Sequence, residues 1–426
     1  MTTTRFQAPR GTPDVLPEMQ PYWDAVLRGI SEVTDLFGFQ RIDTPVFEAA
    51  GLFEKGTGDT TDVVEKEMYV FEDRGGDLLA LAPEATPAIV RAYLEHGMGS
   101  WPQPVRLFTV KPMFRYDRPQ KGRYRQFTQF DCEVLGSSDP LVDAEVIQIA
   151  WLLYANLGLN NLELRLSSID DIDPRQTYVE RLKEYFRPHL SKLSEDSQRR
   201  FERNPLRLLD SKDERDLPFK ENAPKLIDAL SPEAQDHHEL VTAALTAAGI
   251  PFTIDPLLVR GLDYYNRTVF EIVPQEDTRA QGSVMAGGRY DGLVELLGGP
   301  STPSTGFAAG IERSILEMQK NEVSPPFAKQ VAVYVVHRGD SVAVHAMTLA
   351  TTLRQAGIAA QIGESGRSFK AQLRRADSSG ARVALILGED EIARGAAMVK
   401  PLRVDSEQVE APISGIVDAV RKALAE

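Results

Sequence analysis

The sequence predicts an α+β domain on a mainly antiparallel sheet, interrupted by a helical insertion and followed by a separate α/β domain. In the first part, turns with Gly or Pro join closely spaced strand-like runs, with few helices between them. These runs are 67–71, 78–81, 105–115 and 124–136. From about residue 170 to 248 the chain is instead helical and strongly charged. Near the C-terminus strands and helices alternate, an order that predicts a mainly parallel sheet.

The first part of the main domain is expected to span residues 1–169. Apolar residues in 21–37 share one helical face, and Gly38 ends that helix. Residues 39–47 alternate like a strand, but Pro45 interrupts them, which indicates an edge or a strand end.

The insertion is expected at 170–250, and the second part of the main domain at 251–323. Sheet character returns there at 252–254, at 269–273 and around 282–288.

After a linker at Ser324-Pro325-Pro326, residues 329–426 are expected to form the α/β domain. Its predicted strands and helices follow one another along the chain. The strands are 331–336, 359–362 and 383–387, and the helices are 341–355, 369–378 and 413–425.

Composition limits the classes of function. The 426 residues are 42% hydrophobic. The sequence has no apolar run long enough to cross a bilayer, and its N-terminus has no signal-peptide pattern. We therefore expect a cytoplasmic protein and no membrane partner. A single cysteine, Cys132, excludes an internal disulfide and a thiolate zinc cluster, and its apolar neighbours favour a buried thiol. The net charge of −14 argues against nucleic acid unless cations cluster locally.

Such a cluster exists at residues 114–127, FRYDRPQKGRYRQF. Pro119 and Gly122 indicate a hairpin loop, so Arg115 and Arg125 would leave the two strands, with three more cations in the loop. Guanidinium groups bind phosphate oxygens bidentately, which suits a nucleotide triphosphate or an RNA end. A solvated basic loop would have the same composition.

Polar residues alternate directly after this hairpin. Gln129, Asp131 and Glu133 share one face of a strand, which is unusual for a strand in a core. A phosphate beside a cationic substrate amine would explain both the arginines and this row.

Three further segments carry candidate site residues. In 304–315, Gly306 and Gly310 precede Arg313 near the start of a helix. The arginine and the helix N-terminus would favour an anion, but the glycines could equally serve close packing of a strand on a helix. Residues 258–272 place Arg260, Asp263, Tyr264 and Tyr265 in one loop, either a site or a surface turn. In 286–299, Gly287-Gly288 could approach a ligand or form a turn.

Glu84 and Thr86 lie between a strand and an apolar helix. They would either cap that helix or face an ammonium group. The chain contains neither a GxxxxGK[ST] loop nor a dinucleotide GxGxxG after a strand, so ATP would be held in another way. The six histidines lie outside these segments, and we expect no protein-held metal.

Together the segments resemble the class II aminoacyl-tRNA synthetases, and specifically the histidyl-tRNA synthetase family. Residues 39–45, 114–133 and 306–313 resemble the three class motifs, while LVRGLDYYNRTVFE and GGRYDGLV resemble the more specific histidine signatures. The resemblance covers nearly the whole chain, and its last domain is similar to an anticodon-binding domain.

The resemblance implies that ATP activates L-histidine to histidyl-adenylate and that the product is transferred to the 3′ end of tRNA(His). It also implies a homodimer, with Mg²⁺ carried by ATP or pyrophosphate. The main alternative is a synthetase-like regulatory subunit of histidine biosynthesis that charges no tRNA. The C-terminal domain and the Arg260 signature argue against that alternative.

By resemblance, four arginines would bind the nucleotide. Arg115 would bind the α-phosphate and Arg313 the far end of the triphosphate, and Arg123 the outer phosphates or the tRNA end. Arg260 would approach the α-phosphate from the opposite side, where related enzymes use an extra magnesium ion.

The resemblance likewise assigns the histidine pocket. Glu84, Thr86 and Gln129 would hold the α-ammonium group. Glu133 and Tyr265 would pair with the two ring nitrogens, and Tyr264 would support the pocket. The chain departs from the family at Ala85, Asp117 and Thr128, none of which has an assigned role.

Overall fold

The computed structural model describes residues 6–58, 61, 63–260, 264–275, 282–325, 331–404 and 406–425. The chain divides into two compact units, Met1–Pro326 and Phe327–Glu426. The structure does not separate the predicted insertion from the first unit, so the boundaries 1–169, 170–250 and 251–323 stay predictions. No helix in the described ranges has the length and apolar character to cross a membrane.

The strands of the first unit are β1 (Gln40–Arg41), β2 (Phe47–Ala49), β3 (Val70–Glu72), β4 (Leu78–Leu81), β5 (Val105–Phe114), β6 (Gln126–Leu135), β7 (Leu162–Ile169), β8 (Thr253–Ile254), β9 (Asn266–Pro274), β10 (Met285–Arg289) and β11 (Ser304–Gly310). Its helices are α1 (Gln20–Leu36), α2 (Ala50–Thr57), α3 (Thr86–Glu95), α4 (Pro140–Asn156), α5 (Ile172–Phe186), α6 (Glu195–Arg203), α7 (Leu217–Glu221), α8 (Pro232–Ala247), α9 (Leu293–Leu296) and α10 (Ile311–Lys320).

An eight-stranded sheet organises this unit, in the order β1-β5-β6-β11-β10-β9-β7-β8. The pairs at its two edges, β1 with β5 and β7 with β8, are parallel, and the pairs between them are antiparallel. The expected mainly antiparallel sheet is therefore confirmed.

The strand-like run expected at 39–47 is interrupted around Pro45 as predicted, and β1, which precedes that residue, is an edge strand of the eight-stranded sheet. The two ends of the run form β1 and β2, which belong to different sheets, because Thr44-Pro45 leaves the ladder between them. The Thr44 and Pro45 carbonyls accept hydrogen bonds from Lys111 Nζ instead, at 3.0 and 2.7 Å. The strand expected at 67–71 is shifted, because 63–67 forms a π-helical turn and β3 starts at Val70.

The two faces of β6 have different surroundings. Phe130, Cys132 and Val134 pack into the hydrophobic core beneath α1 and α4, so the thiol is buried as expected. Gln129 and Glu133 point to the opposite face, where the candidate site lies. This alternation follows from the two-residue period of a strand.

The predicted insertion contains α5–α8, linked by short 3₁₀ turns. Its last helix, α8, contributes Val241 and Leu245 to the same core as α4. The end of the helical segment is thus packed on the main sheet.

The second unit contains the strands β12 (Val333–His337), β13 (Ala360–Ile362), β14 (Val383–Leu387), β15 (Ala396–Pro401) and β16 (Val409–Pro412). Its helices are α11 (Asp340–Gln355), α12 (Phe369–Ser378), α13 (Glu389–Ala393) and α14 (Ile416–Ala425). Pro326 of the predicted linker, and residues 329 and 330 of the predicted domain, lie outside the described residues.

The α/β order of this unit is confirmed, but its sheet is mixed rather than mainly parallel. β12 pairs in parallel with β13 and β14, while β14–β15 and β15–β16 are antiparallel. The correction arises because β14, β15 and β16 follow one another without a full crossover helix, so each strand can reverse beside its predecessor.

Candidate active site

One cavity of about 770 Å³ opens on the sheet face of the first unit that carries Gln129 and Glu133. Each of the ten predicted site residues contributes to its wall. They are Glu84, Thr86, Arg115, Arg123, Gln129, Glu133, Arg260, Tyr264, Tyr265 and Arg313.

The arginine hairpin forms one side of the cavity. Arg115 N donates to Arg125 O at 2.9 Å, which places these residues opposite each other beyond β5 and β6, as predicted. Arg115 Nε donates to Pro83 O at 2.8 Å, and its guanidinium lies over the Phe127 ring. Neither contact uses an acid, so the positive charge of Arg115 is left for a ligand.

The hairpin cations do not all reach the cavity. Arg115 and Arg123 line it, whereas Arg125 turns away and stacks on Tyr116, 4.1 Å from the ring centre. Arg123 is held by ion pairs with Asp117 and Glu67. Part of the basic stretch therefore lines the cavity, and part of it stabilises the hairpin loop.

Arg313 connects the hairpin to the central strands. It lies in the first turn of α10, and its Nε donates to Gly122 O at 3.0 Å, while Nη1 donates to Ser283 O at 2.7 Å. Burial, and then the neighbouring cations Arg123 and Arg115, lower the pKa of Arg313. Cations crowded in this way favour an anion between them.

Arg260 faces the same cavity from a distant part of the chain. Its Nη1 lies 3.7 Å from Glu271 Oε2, and its buried Nε has no hydrogen-bond partner among the described residues. Asp263, which belongs to the same predicted loop, lies outside the described residues. A buried donor without a partner is costly, and a bound ligand would supply the acceptor.

Two buried glutamates form the other side. Glu84 accepts from Thr57 Oγ1 at 2.5 Å and from Tyr264 OH at 3.2 Å. Glu133 accepts from Thr86 Oγ1 at 2.6 Å and from Tyr290 OH. Burial raises the pKa of Glu84, and it raises the pKa of Glu133 to about 8 although both hydroxyls oppose the shift.

Thr86 and Glu84 do not cap α3, because no side chain in the described part of the chain accepts from the first turn of that helix. The capping interpretation is therefore wrong. Both side chains belong to the carboxylate side of the cavity, with Thr86 donating its hydroxyl proton to Glu133.

Gly306 and Gly287 lie where a side chain would collide with neighbouring protein atoms. A Cβ on Gly306 would come within 1.8 Å of Glu133 Oε2, and one on Gly287 within 2.2 Å of Gly306 O. Close packing of strands thus accounts for both glycines, and at Gly306 it keeps space for the Glu133 carboxylate.

Sequence reasoning missed Thr57 and Tyr290, which hold Glu84 and Glu133. Tyr290 lies in the GGRYDGLV segment, so a polar aromatic residue after Gly287-Gly288 was the available signal. Thr57, at the end of α2, gives no local signal.

A buried ion-pair network supports Tyr290. The neighbouring Arg289 is fully buried and donates to Asp143 at 2.6 and 3.1 Å, and Asp143 also pairs with His237 Nε2 at 2.7 Å. The network links α4 and β10 to α8. In the described part of the chain, no group of His, Cys, Asp or Glu side chains is placed to hold a metal ion on its own.

A family model described as histidyl-tRNA synthetase matches residues 11–313, and a model described as an anticodon binding domain matches 330–423. The chain belongs to the histidyl-tRNA synthetase family. The resemblance inferred from the sequence motifs is thereby confirmed.

Relatives in this family match over nearly the full length. The histidine–tRNA ligase of Dehalococcoides mccartyi is 46% identical over 419 residues, 98% of this chain and 100% of the relative. That of Desulforamulus reducens is 47% identical over 408 residues, 96% of each. The apo histidyl-tRNA synthetase structure of S. aureus has a TM-score of 0.83 at 34% identity, covering 98% of this chain and 100% of its own.

Proposed function

We propose that this chain activates L-histidine with ATP and transfers the histidyl group to the 3′ end of tRNA(His). The observation that carries the proposal is a single cavity in which two buried glutamates face a group of arginines. Histidine has a cationic amine and a polar ring, and ATP is a polyanion. The two sides match these two substrates, and the membership of the chain in the family supports the pairing.

In the first step the histidine carboxylate attacks the α-phosphorus of ATP in line. The bond to the bridging oxygen breaks, and pyrophosphate leaves with its electron pair. Arg115 and Arg260 flank the α-phosphate and stabilise the charge that builds as phosphorus becomes five-coordinate. Arg313 and Arg123 bind the outer phosphates. The nucleophile is the substrate's own carboxylate, so positioning and charge stabilisation provide the catalysis.

Magnesium would arrive with ATP, because its preferred ligands are oxygens of phosphate, water and one or two carboxylates. Glu67 and Glu312 line the cavity beside the arginines, but Glu67 pairs with Arg123 and both oxygens of Glu312 accept from Thr128 N, so phosphate and water oxygens would hold the ion. The ion would neutralise charge on the departing pyrophosphate.

Histidine lies against the carboxylate side. Glu84 and Gln129 take its ammonium group, since Gln129 Oε1 is buried without a partner among the described residues. Thr86 keeps its lone pairs for the same group. Glu133 and Tyr265 pair with the two ring nitrogens, and Tyr264 holds Glu84 in place. An apolar amino acid would leave these buried groups unpaired, which such sites reject by about four orders of magnitude.

In the second step a terminal ribose hydroxyl of tRNA attacks the activated carbonyl, and AMP leaves. The second unit would bind the anticodon, as its family match suggests. We expect removal of the residues after Ser324 to reduce tRNA charging far more than pyrophosphate exchange. Equal losses in the two assays would contradict an anticodon-binding role.

The regulatory-subunit alternative has less support. Arg115, Arg260 and Arg313 all line the cavity, which a protein without adenylation chemistry would not need. The chain also covers 100% and 96% of the length of two relatives named as ligases.

A homodimer in the cytoplasm is part of the proposal. Apolar side chains are exposed on and beside the three-stranded sheet β2-β4-β3, including Phe47, Val70, Phe71 and Leu78, and a second copy would cover them. Analytical ultracentrifugation tests this, and a monomer at micromolar concentration would exclude it.

The activity is tested by ATP–pyrophosphate exchange with each of the twenty amino acids. We expect exchange with histidine, at least about a thousandfold faster than with any other amino acid. Exchange with a different amino acid, or with none, would refute the proposed function.

A further inference from the structure

The helical insertion contributes its own wall to the active-site cavity. The wall consists of Arg207, the run Leu209–Lys212, Leu217 and Lys220. It adds three cations to a cavity that already contains five arginines, which are Arg115, Arg123, Arg165, Arg260 and Arg313. None of these insertion residues was among the predicted site residues.

A buried carboxylate fixes the backbone that leads into Lys212. Asp216 is 2% exposed and accepts hydrogen bonds from Ser194 N and Oγ, both at 2.7 Å, and from Ser197 Oγ at 2.6 Å. It also accepts from Ser211 Oγ at 2.6 Å. Because Ser211 directly precedes Lys212, the hydrogen bonds to Asp216 fix the backbone of Lys212 relative to the start of α6.

Two further contacts tie the wall to the rest of the site. Arg207 Nη1 donates to Arg260 O at 3.3 Å, which connects the insertion to the backbone of the arginine on the far side of the cavity. Lys220 Nζ donates to Ser211 O at 3.2 Å and so braces the same short run. Both cations therefore have contacts that position the wall.

Lys212 differs from Arg207 and Lys220, since its ammonium makes no hydrogen bond or ion pair within the described ranges. Asp210, Glu271 and the cations Lys220 and Arg123 surround it electrostatically. Lys212 is exposed to the solvent in the cavity, while desolvation by the cavity wall lowers the pKa of its ammonium, and Asp210 and Glu271 oppose this. Lys212 lines the same cavity as Arg123, Arg260 and Glu271, the partner of Arg260, so its ammonium can reach a phosphate bound between these arginines.

We propose that Lys212 contacts a phosphate group of the bound substrate, so that the insertion completes the phosphate site that the main domain begins. Ammonium groups bind phosphate as point charges and need no fixed plane, which suits a lysine on a short braced loop. The inference rests on the proposed function. The phosphate is either one of the outer phosphates of ATP or a phosphate near the tRNA 3′ end.

The test compares the full chain with Lys212→Ala, Lys212→Arg and Lys225→Ala. Lys225 is an exposed lysine of the same insertion outside the cavity wall, so its loss controls for net charge. Exchange assays give KM for ATP and for histidine, and charging assays give KM for tRNA.

We expect Lys212→Ala to raise KM for ATP about tenfold, with KM for histidine changed less than about twofold and Lys212→Arg restoring most of the loss. A rise in KM for tRNA alone would support the same contact and assign the phosphate to tRNA.

Two results would overturn the inference: no KM change beyond that of Lys225→Ala, or equal rises for ATP and histidine, which would indicate a structural role. If the wild-type chain itself shows no histidine-dependent exchange, the proposed function fails instead.

Discussion

The two sides of the cavity differ in the neutral groups that hydrogen-bond to their ionisable side chains. On the carboxylate side, neutral hydroxyls donate to the buried glutamates, Thr57 and Tyr264 to Glu84, and Thr86 and Tyr290 to Glu133. On the arginine side, backbone carbonyls accept from Arg115 and Arg313.

Each side is thus oriented mainly by neutral groups, and the two sides do not cancel each other by ion pairing. Oriented neutral groups hold a charged side chain in place without neutralising it. The exceptions are Arg123, with two acids, and Arg260, with a long contact to Glu271. On the arginine side, charge left unneutralised in the empty site is available to the substrate, whereas Glu133, with a pKa of about 8, is mostly protonated there at neutral pH.

The largest expected effect is on the arginine side. Arg260→Ala should slow histidine-dependent exchange about 10²- to 10³-fold, because a preorganised donor facing the reacting phosphate is lost. Stopped-flow adenylate formation measures it. Arg118→Ala, which removes a hairpin cation outside the cavity wall, is the control and should leave the rate unchanged. An unaffected rate in Arg260→Ala would remove that residue from the mechanism.

A smaller effect is expected from Glu133→Gln, about a hundredfold rise in KM for histidine. The same change should stabilise the empty protein at alkaline pH. The pKa of Glu133 is about 8 when folded, against an ordinary 4.5, so the unfolded chain loses this proton first. Stability is therefore fully present below pH 4.5 and falls as the pH rises through 8.

Glu133→Gln removes this penalty, so its gain in unfolding free energy should grow to on the order of 5 kcal/mol by pH 9 and vanish near pH 4.5. Urea unfolding across this range measures it. A gain that is independent of pH would mean that Glu133 is already ionised in the folded empty site.

The smallest effect is expected from Tyr290→Phe, which leaves Glu133 with the Thr86 hydroxyl but removes its second donor. KM for histidine should rise about fivefold while KM for ATP stays constant. Tyr185→Phe is the matched control, because that hydroxyl donates to the Phe219 carbonyl inside the insertion. Equal changes in KM for both substrates would show that Tyr290 supports the fold rather than the carboxylate side.

Local patterns accounted for much of the fold and site. The period of β6 placed Gln129 and Glu133 on one face, and Pro119 with Gly122 marked the hairpin, since both signals act within a few residues. The role of Thr86 beside Glu133 and of Tyr290 depends on contacts across 47 and 157 residues, which no local pattern encodes. The antiparallel end of the second sheet was missed for a different reason, because β15 and β16 were not among the predicted strands.

Binding measured separately for each substrate tests the division of the cavity most directly. Histidine, and then a non-hydrolysable ATP analogue, would be titrated calorimetrically into the wild type, Glu133→Gln and Arg260→Ala. We predict that Glu133→Gln weakens histidine binding about a hundredfold and leaves the nucleotide within about twofold, and that Arg260→Ala weakens only the nucleotide. Equal losses of both ligands in either variant would contradict two independent sides.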